Sequence, residues 1–204
     1  MTSTEAPRLA PLPARHWSPN GRELLRGHIP SADAYLADDA DESAMPGVIG
    51  LFGHHPRLAA RWIGFSGGLT TDPELPPRDR ELLVLRVAWR TQSRYEWTEH
   101  VRIGRRAGLD DDEIAAIGGA GDDPGWGDRE RALIAAADQM VAAHTVDEPT
   151  WRCLARHFDE RQLLEVLFVI GGYLCLAAVL NAVGLPPDGG PDRTPIALPP
   201  AAPM

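Results

Sequence analysis

Residues 163–183 form the longest apolar run of the chain, interrupted only by Glu165, Gly171, Gly172 and Asn181. A run of this length reads as a helix. Its embedded carboxylate, adjacent glycines and asparagine favour a buried core helix over a membrane span. Asp159 and Gln162 stand three apart just ahead of it, the spacing of a capping box. Such a helix must cover most of its faces, which takes other helices of the same chain or, more easily, a helical oligomer. Each glycine at 171 and 172 costs roughly 1 kcal/mol against alanine inside a helix. A close approach by another helix, or by a ligand, is therefore expected there.

The remaining pattern is helical from end to end. Leu24, Leu25 and Ile29 recur at loose helical spacing over 21–35, and 46–53 is a short apolar segment. Pro56 and Pro77 suit first helical positions, for helices over 56–67 and 77–89. In the second of these, Leu82, Leu85 and Trp89 share a face. A helix over 95–107 ends at Gly108, placed as a C-cap, and Asp110 with Glu113 makes a further capping box. Asp128 is placed to cap a helix reaching His144, with Leu133, Ala136, Ala137 and Met140 as its apolar stripe. A short helix over 149–157 precedes the apolar one. No convincing strand alternation occurs, so the fold class is all-α. With its many prolines, 1–20 reads as an extended or disordered tail, and 187–204 as a proline-rich one. Residues 21–186 form a single domain.

Composition narrows the chemistry. All 20 basic residues are arginine, against 29 acidic ones, for a net charge of -9. The acidic balance disfavours binding to nucleic acid. Without lysine there is no Schiff base, no pyridoxal-phosphate anchor and no phosphate-loop lysine. The two cysteines, Cys153 and Cys175, form neither a CxxC nor a metal-ligand cluster. Free thiols and the lack of an apolar N-terminal core point to a cytoplasmic protein with no membrane partner. Neither a metal nor another cofactor is expected.

The chemistry-bearing residues lie in 76–117. Glu81 falls on an apolar helix face with Val84, Leu85 and Ala88, so it needs a partner or a raised pKa. Ser93, Glu96 and His100 follow at spacings of three and four and stack on one helix face. A glutamate four residues before a histidine can accept its ring N–H, set its tautomer and raise its basicity; a surface ion pair is the plainer reading. HExxH is absent, which excludes that zinc signature. Tyr95 and Trp97 flank the pair, as substrate contacts or as packing. Arg86 is a candidate for holding a substrate carboxylate, or a solvated charge, and Tyr173 lines the same pocket or packs in the core. His54, His55 and His144 read as helix-terminus residues.

The segments LFGHHPRL (51–58), LPPRDRELLVLRVAW (75–89), SRYEWTEHVRIGRRAGLDDDEI (93–114) and LLEVLFVIGGYLCLAAVLNAVGLP (163–186) resemble the carboxymuconolactone decarboxylase and alkyl hydroperoxidase D-like superfamily. The resemblance runs over roughly 46–187 and implies a compact multi-helix domain assembled as a homo-oligomer, commonly a trimer or hexamer. The peroxidase branch places a Glu, a CxxC and a His at the spacings found here as Glu81, Ser93, Glu96 and His100. With Ser93 and Glu96 at the cysteine positions no disulfide can form there, so thiol peroxidase activity is not expected. The decarboxylase branch keeps a Glu-x-x-x-His.

The resemblance then implies a cofactor-independent carboxy-lyase acting on a small enolisable carboxylated substrate. His100, oriented by Glu96, is the general acid or base, Glu81 a relay group, and Ser93 a hydrogen-bond donor to substrate or a helix cap. A related proton-transfer isomerase and a non-catalytic helical scaffold are the alternatives. Placement of Glu96 and His100, in an apolar interior or in bulk solvent, separates the enzymes from the scaffold.

Overall fold

The structure, a computed structural model, describes residues 6–26, 45–119, 125–189 and 196–201. The second half of the helix expected over 21–35, and parts of both expected tails, lie outside the described residues. Nine α-helices and no strand occur among the described residues. They gather into two compact units, 1–72 with 183–188, and 73–182 with 189–204, where periodicity alone suggests one domain over 21–186.

In the first unit, a 3-10 turn (Ala14–His16) leads to α1 (Pro19–Leu25), then α2 (Gly47–Phe52) and α3 (Pro56–Thr71). Ser18 caps α1 by accepting from the Gly21 amide at 3.0 Å. Trp17, Leu25, Ile49, Ala59 and Ile63 form the core. Trp17 is why the N-terminal stretch is anchored. Its indole donates to the Leu12 carbonyl at 2.8 Å, and its ring lies where a side chain at Gly53 would have to sit. The amides of Arg8 and Leu12 donate to the carbonyls of Val183 (2.7 Å) and Gly50 (2.9 Å).

The second unit is built around α4 (Pro77–Arg90), where Leu82, Leu83, Val84, Leu85, Val87 and Ala88 are all fully buried. It packs against α5 (Arg94–Arg106) and α7 (Asp128–Ala143), with α6 (Asp111–Ile117) beside it; α8 (Glu148–His157) packs on α7. A three-residue turn joins α4 to α5, so the two run antiparallel as neighbours. Their approach is close at Gly104, where a methyl group would stand 3.2 Å from Leu85 and Leu109. The antiparallel pairing brings the middle of α5 beside the first turn of α4. Gly108 ends α5 with φ +96°, the left-handed conformation expected of a glycine C-cap. The α7 cap is Gly127 rather than Asp128, which is instead the first helical residue.

The apolar run becomes α9 (Glu160–Val183). Its capping box is closed, with the Gln162 amide donating to Asp159 at 2.9 Å and the Asp159 amide to the Gln162 side chain at 3.1 Å. Glu165 accepts from the amides of Glu74 (2.7 Å) and Leu75 (3.1 Å), and Asn181 donates to the Thr91 carbonyl (2.8 Å). The expected burial on most faces is not met within one chain. Leu163, Val166, Val169, Ile170, Ala177 and Leu180 are buried, while Leu164, Phe168 and Val179 are 56%, 49% and 45% exposed. Length and composition would also let α9 cross a membrane. A methyl group at Gly171 would meet nothing within 4 Å, so the predicted close approach is not seen at that glycine among the described residues.

Candidate active site

Five side chains of the second unit converge where α4, α5 and α9 meet: Glu81, Ser93, Glu96, His100 and Tyr173. The His100 ring contacts the Glu81 carboxylate through Nδ1 at 2.6 Å. Glu81 is 1% exposed and the imidazole largely buried. The predicted partner of His100 was Glu96, four residues earlier. The actual one comes from the neighbouring helix, because the antiparallel α4–α5 pairing sets Glu81 opposite His100 in a hydrogen-bonding direction that the i, i+4 neighbour lacks.

Burial alone would raise the Glu81 pKa. The hydrogen bond and charge of His100, with Arg80 behind them, outweigh it and hold the carboxyl below its usual range. The Arg80 Nε contacts Glu81 at 3.2 Å. Arg80 is itself only 9% exposed, a buried cation absent from the predicted set. Its position beside Glu81, on a face otherwise filled by leucine and valine, was the available signal.

Glu96 has the opposite fate. It is 2% exposed, and neither carboxyl oxygen has a hydrogen-bond partner. Burial pushes its pKa up to about 8, with the nearby Ser93 hydroxyl pulling weakly the other way. That hydroxyl is near enough to favour the anion but misses hydrogen-bond geometry, and Ser93 Oγ is likewise unpartnered. Near neutral pH this favours the carboxylic acid form of Glu96, whereas Glu81, expected to need a partner or a raised pKa, has its partners in His100 and Arg80. Ser93 is the N-cap of α5 with Glu96 at the third helical position, yet neither side chain makes a capping bond. Two groups suited to satisfying the helix end are turned inward, unmatched.

Tyr173 meets His100 edge to face, ring centroids 5.0 Å apart. Its hydroxyl lies in the interior, so burial, reinforced by the Glu81 and Glu96 charges, raises its pKa.

The other predicted contacts are engaged elsewhere. Arg86 forks onto Asp138 with two 2.7 Å bonds, donates to the Ile117 carbonyl and stacks over Trp89. Its guanidinium is consumed by this pairing. Trp97 is wholly buried and its indole donates to the Ile196 carbonyl at 2.8 Å, while Tyr95 is a buried packing residue. His55 caps α3 and His144 caps α7. Cys153 and Cys175 are free thiols on different helices. Among the described residues no three His, Cys, Asp or Glu side chains gather to hold a metal ion.

The second unit thus presents, within an all-α fold, a buried Glu–His pair bridging two antiparallel helices. Residues 56–139, which include four of the five converging side chains, match the model of the carboxymuconolactone decarboxylase family. Solved structures share the fold. The debrominase Bmp8, as a cysteine-to-alanine variant with 2,3,4-tribromopyrrole, is 19% identical with a TM-score of 0.66, over 86% of this chain and 88% of that one. An uncharacterised peroxidase-related protein from Ralstonia eutropha, described as an alkylhydroperoxidase AhpD core, is 20% identical with a TM-score of 0.65, covering 88% and 92%. A protein of unknown function from Agrobacterium tumefaciens, a putative antioxidant defence protein AhpD, is 17% identical with a TM-score of 0.63, covering 68% and 96%. Comparison with curated protein sequences gives no match. Residues 56–139 are thus similar to the carboxymuconolactone decarboxylase family, whose members are often enzymes, and the solved structures share the all-α fold.

Proposed function

We propose that this protein is a cofactor-independent enzyme that moves protons on a small, enolisable, carboxylated substrate, acting as a carboxy-lyase. The observation that carries this reading is the pair of buried groups in opposite states, a neutral, unpartnered Glu96 beside a His100 held by the ionised Glu81. With Glu81 accepting the Nδ1 proton, the Nε2 lone pair of His100 is left free as a base. Arg80 offsets the charge of an anionic substrate near Tyr173. As the carbon–carboxylate bond breaks, its electrons pass into the adjacent carbonyl, and the Ser93 hydroxyl donates to the oxyanion that forms. Glu96 then delivers its proton to carbon and is recharged from solvent through His100.

The same two groups favour one second reading. His100 would remove a carbon-bound proton and Glu96 return one elsewhere, an isomerisation without CO₂ loss. Turnover of 4-carboxymuconolactone and a panel of β-keto acids in D₂O, followed by mass spectrometry, separates these outcomes. CO₂ loss with one deuterium gained, abolished in His100→Asn, supports the lyase. Deuterium gain alone supports the isomerase. Neither on any substrate counts against both and favours a scaffold that has lost catalysis.

The exposed Leu164, Phe168 and Val179 on α9 support assembly as a homo-oligomer, with second copies covering that face; a cytoplasmic location remains part of the proposal. Phe168→Glu should then lower the mass measured by light scattering to that of the monomer, and an unchanged mass would sink the assignment.

A further inference from the structure

The C-terminal residues 196–201 (IALPPA) lie extended on the second unit, engaged by three side-chain donors. The Trp97 indole donates to the Ile196 carbonyl at 2.8 Å, the Gln92 amide to Pro199 at 3.2 Å and the Trp89 indole to Pro200 at 3.3 Å. Beneath Pro199 lies Gly118, where an added methyl group would stand 2.8 Å from the proline ring and 2.9 Å from Trp97. Ile196, Leu198 and Pro199 are half-buried and Ala197 and Pro200 exposed. The engaged carbonyls are those of residues 196, 199 and 200, so the segment is held at both its ends. Tryptophan and amide donors reading main-chain carbonyls, with a proline ring in a shallow seat, are the features by which proteins recognise proline-rich peptides. The groove itself is costly to build. Gln92 adopts φ +53°, uncommon for a side-chain-bearing residue, and its amide bridges the Trp89 and Pro199 carbonyls.

We infer that Trp89, Gln92, Trp97 and the Gly118 seat form a peptide-recognition groove whose ligand is the chain's own proline-rich C-terminal segment, and that the seated segment holds the first turn of α5 in place. Trp97 is the link. It is wholly buried, Ile196 is the acceptor for its indole N–H, and its own amide donates to Ser93 at 2.9 Å, closing the turn that contains Glu96. The peptide-binding part is independent of the catalytic reading. The bearing on Glu96 and Ser93 matters to function only if that reading holds, so the test uses no enzymatic signal.

Full-length Pro199→Glu puts a charged side chain over the glycine seat. Indole N–H signals of Trp89 and Trp97, assigned through their phenylalanine variants, should shift in its nitrogen–proton spectrum, and exchange at the Trp97 indole should rise at least tenfold. Amide exchange over 94–97 should rise with it. Synthetic IALPPA peptide at about 1–10 mM, the range needed to match a short tether, should restore both in trans. Wild-type signals in Pro199→Glu would mean that the segment does not occupy the groove. Displaced signals that the peptide leaves unchanged would overturn peptide recognition, and unaltered exchange over 94–97 would overturn the hold on α5. Indole protection that falls on dilution of the wild type would assign the seat to a second copy's segment and overturn the intramolecular one. Should Pro199→Glu fail to fold, Gln92→Ala removes one donor from a partly exposed position; unchanged Trp97 indole exchange in that variant would equally overturn the proposal.

Discussion

The first turns of α5 and α6 start from nearly the same instruction. Ser93-x-x-Glu96 and Asp110-x-x-Glu113 are both capping-box sequences. At α6 the box closes: the Glu113 amide donates to Asp110 at 2.8 Å and the Asp110 amide to Glu113 at 3.1 Å. At α5 it stays open, and both side chains are buried without partners. The difference is burial. Asp110 is at the surface, where its carboxylate accepts from a free amide of the helix end. Ser93 and Glu96 face the interior formed with α4 and α9, where an ionised carboxylate is disfavoured and the acid form prevails. Natural proteins leave few buried polar groups unmatched, and those they leave are candidates for function.

The largest effect that sharpens this contrast should come from Glu81→Gln. It removes the charge that holds His100 while leaving both capping sequences unchanged, and deuterium incorporation into substrate should fall by roughly 10²–10⁴-fold. A loss below tenfold would break the assignment of Glu81 to the site.

Next comes pH dependence. The folded pKa of Glu96 is about 8, above the 4.5 of an unperturbed glutamate. Between those values the folded state binds more protons than the unfolded one. The stability that protonated Glu96 contributes is therefore full below pH 4.5 and is lost as pH rises through about 8, by on the order of several kcal/mol. Glu96→Gln should flatten that slope and raise the melting temperature at pH 8.5, read by calorimetry. An identical slope in wild type and variant would mean that the carboxyl is ionised and matched.

The smallest effects compare the boxes directly. Asp110→Ala should cost about 1 kcal/mol in urea unfolding, as loss of a working cap does. Ser93→Ala, at the same helix position, should cost less than about 0.5 kcal/mol because it makes no capping bond. Equal losses would show that the Ser93 box closes in solution.

Much of the fold was legible because it depends on local rules. Pro56 and Pro77 open helices, Gly108 closes one, and the boxes at 110–113 and 159–162 form as written. The all-α class follows from that periodicity. Candidate residues were legible as a set, since Glu81, Ser93, Glu96 and His100 occupy one segment, but their partners were not. Periodicity along one helix offers Glu96 to His100, whereas the choice of Glu81 depends on how two helices face each other. Arg86 illustrates the same limit: its bidentate partner, Asp138, lies 52 positions away. Nor does the sequence show that α9 leaves an apolar face uncovered within one chain, because composition does not say which side is packed.

The amino-acid sequence by itself determined where helices begin and end, that lysine chemistry is unavailable, and which segment holds acid and base groups. Those are properties of neighbouring residues and of composition. Only the tertiary structure decided which carboxylate pairs with His100, which one keeps its proton, and that Trp97 serves the C-terminal segment rather than the candidate active site. A pKa and a hydrogen-bond partner are set by the distance and burial of groups far apart in the chain, and those exist only once the helices have packed.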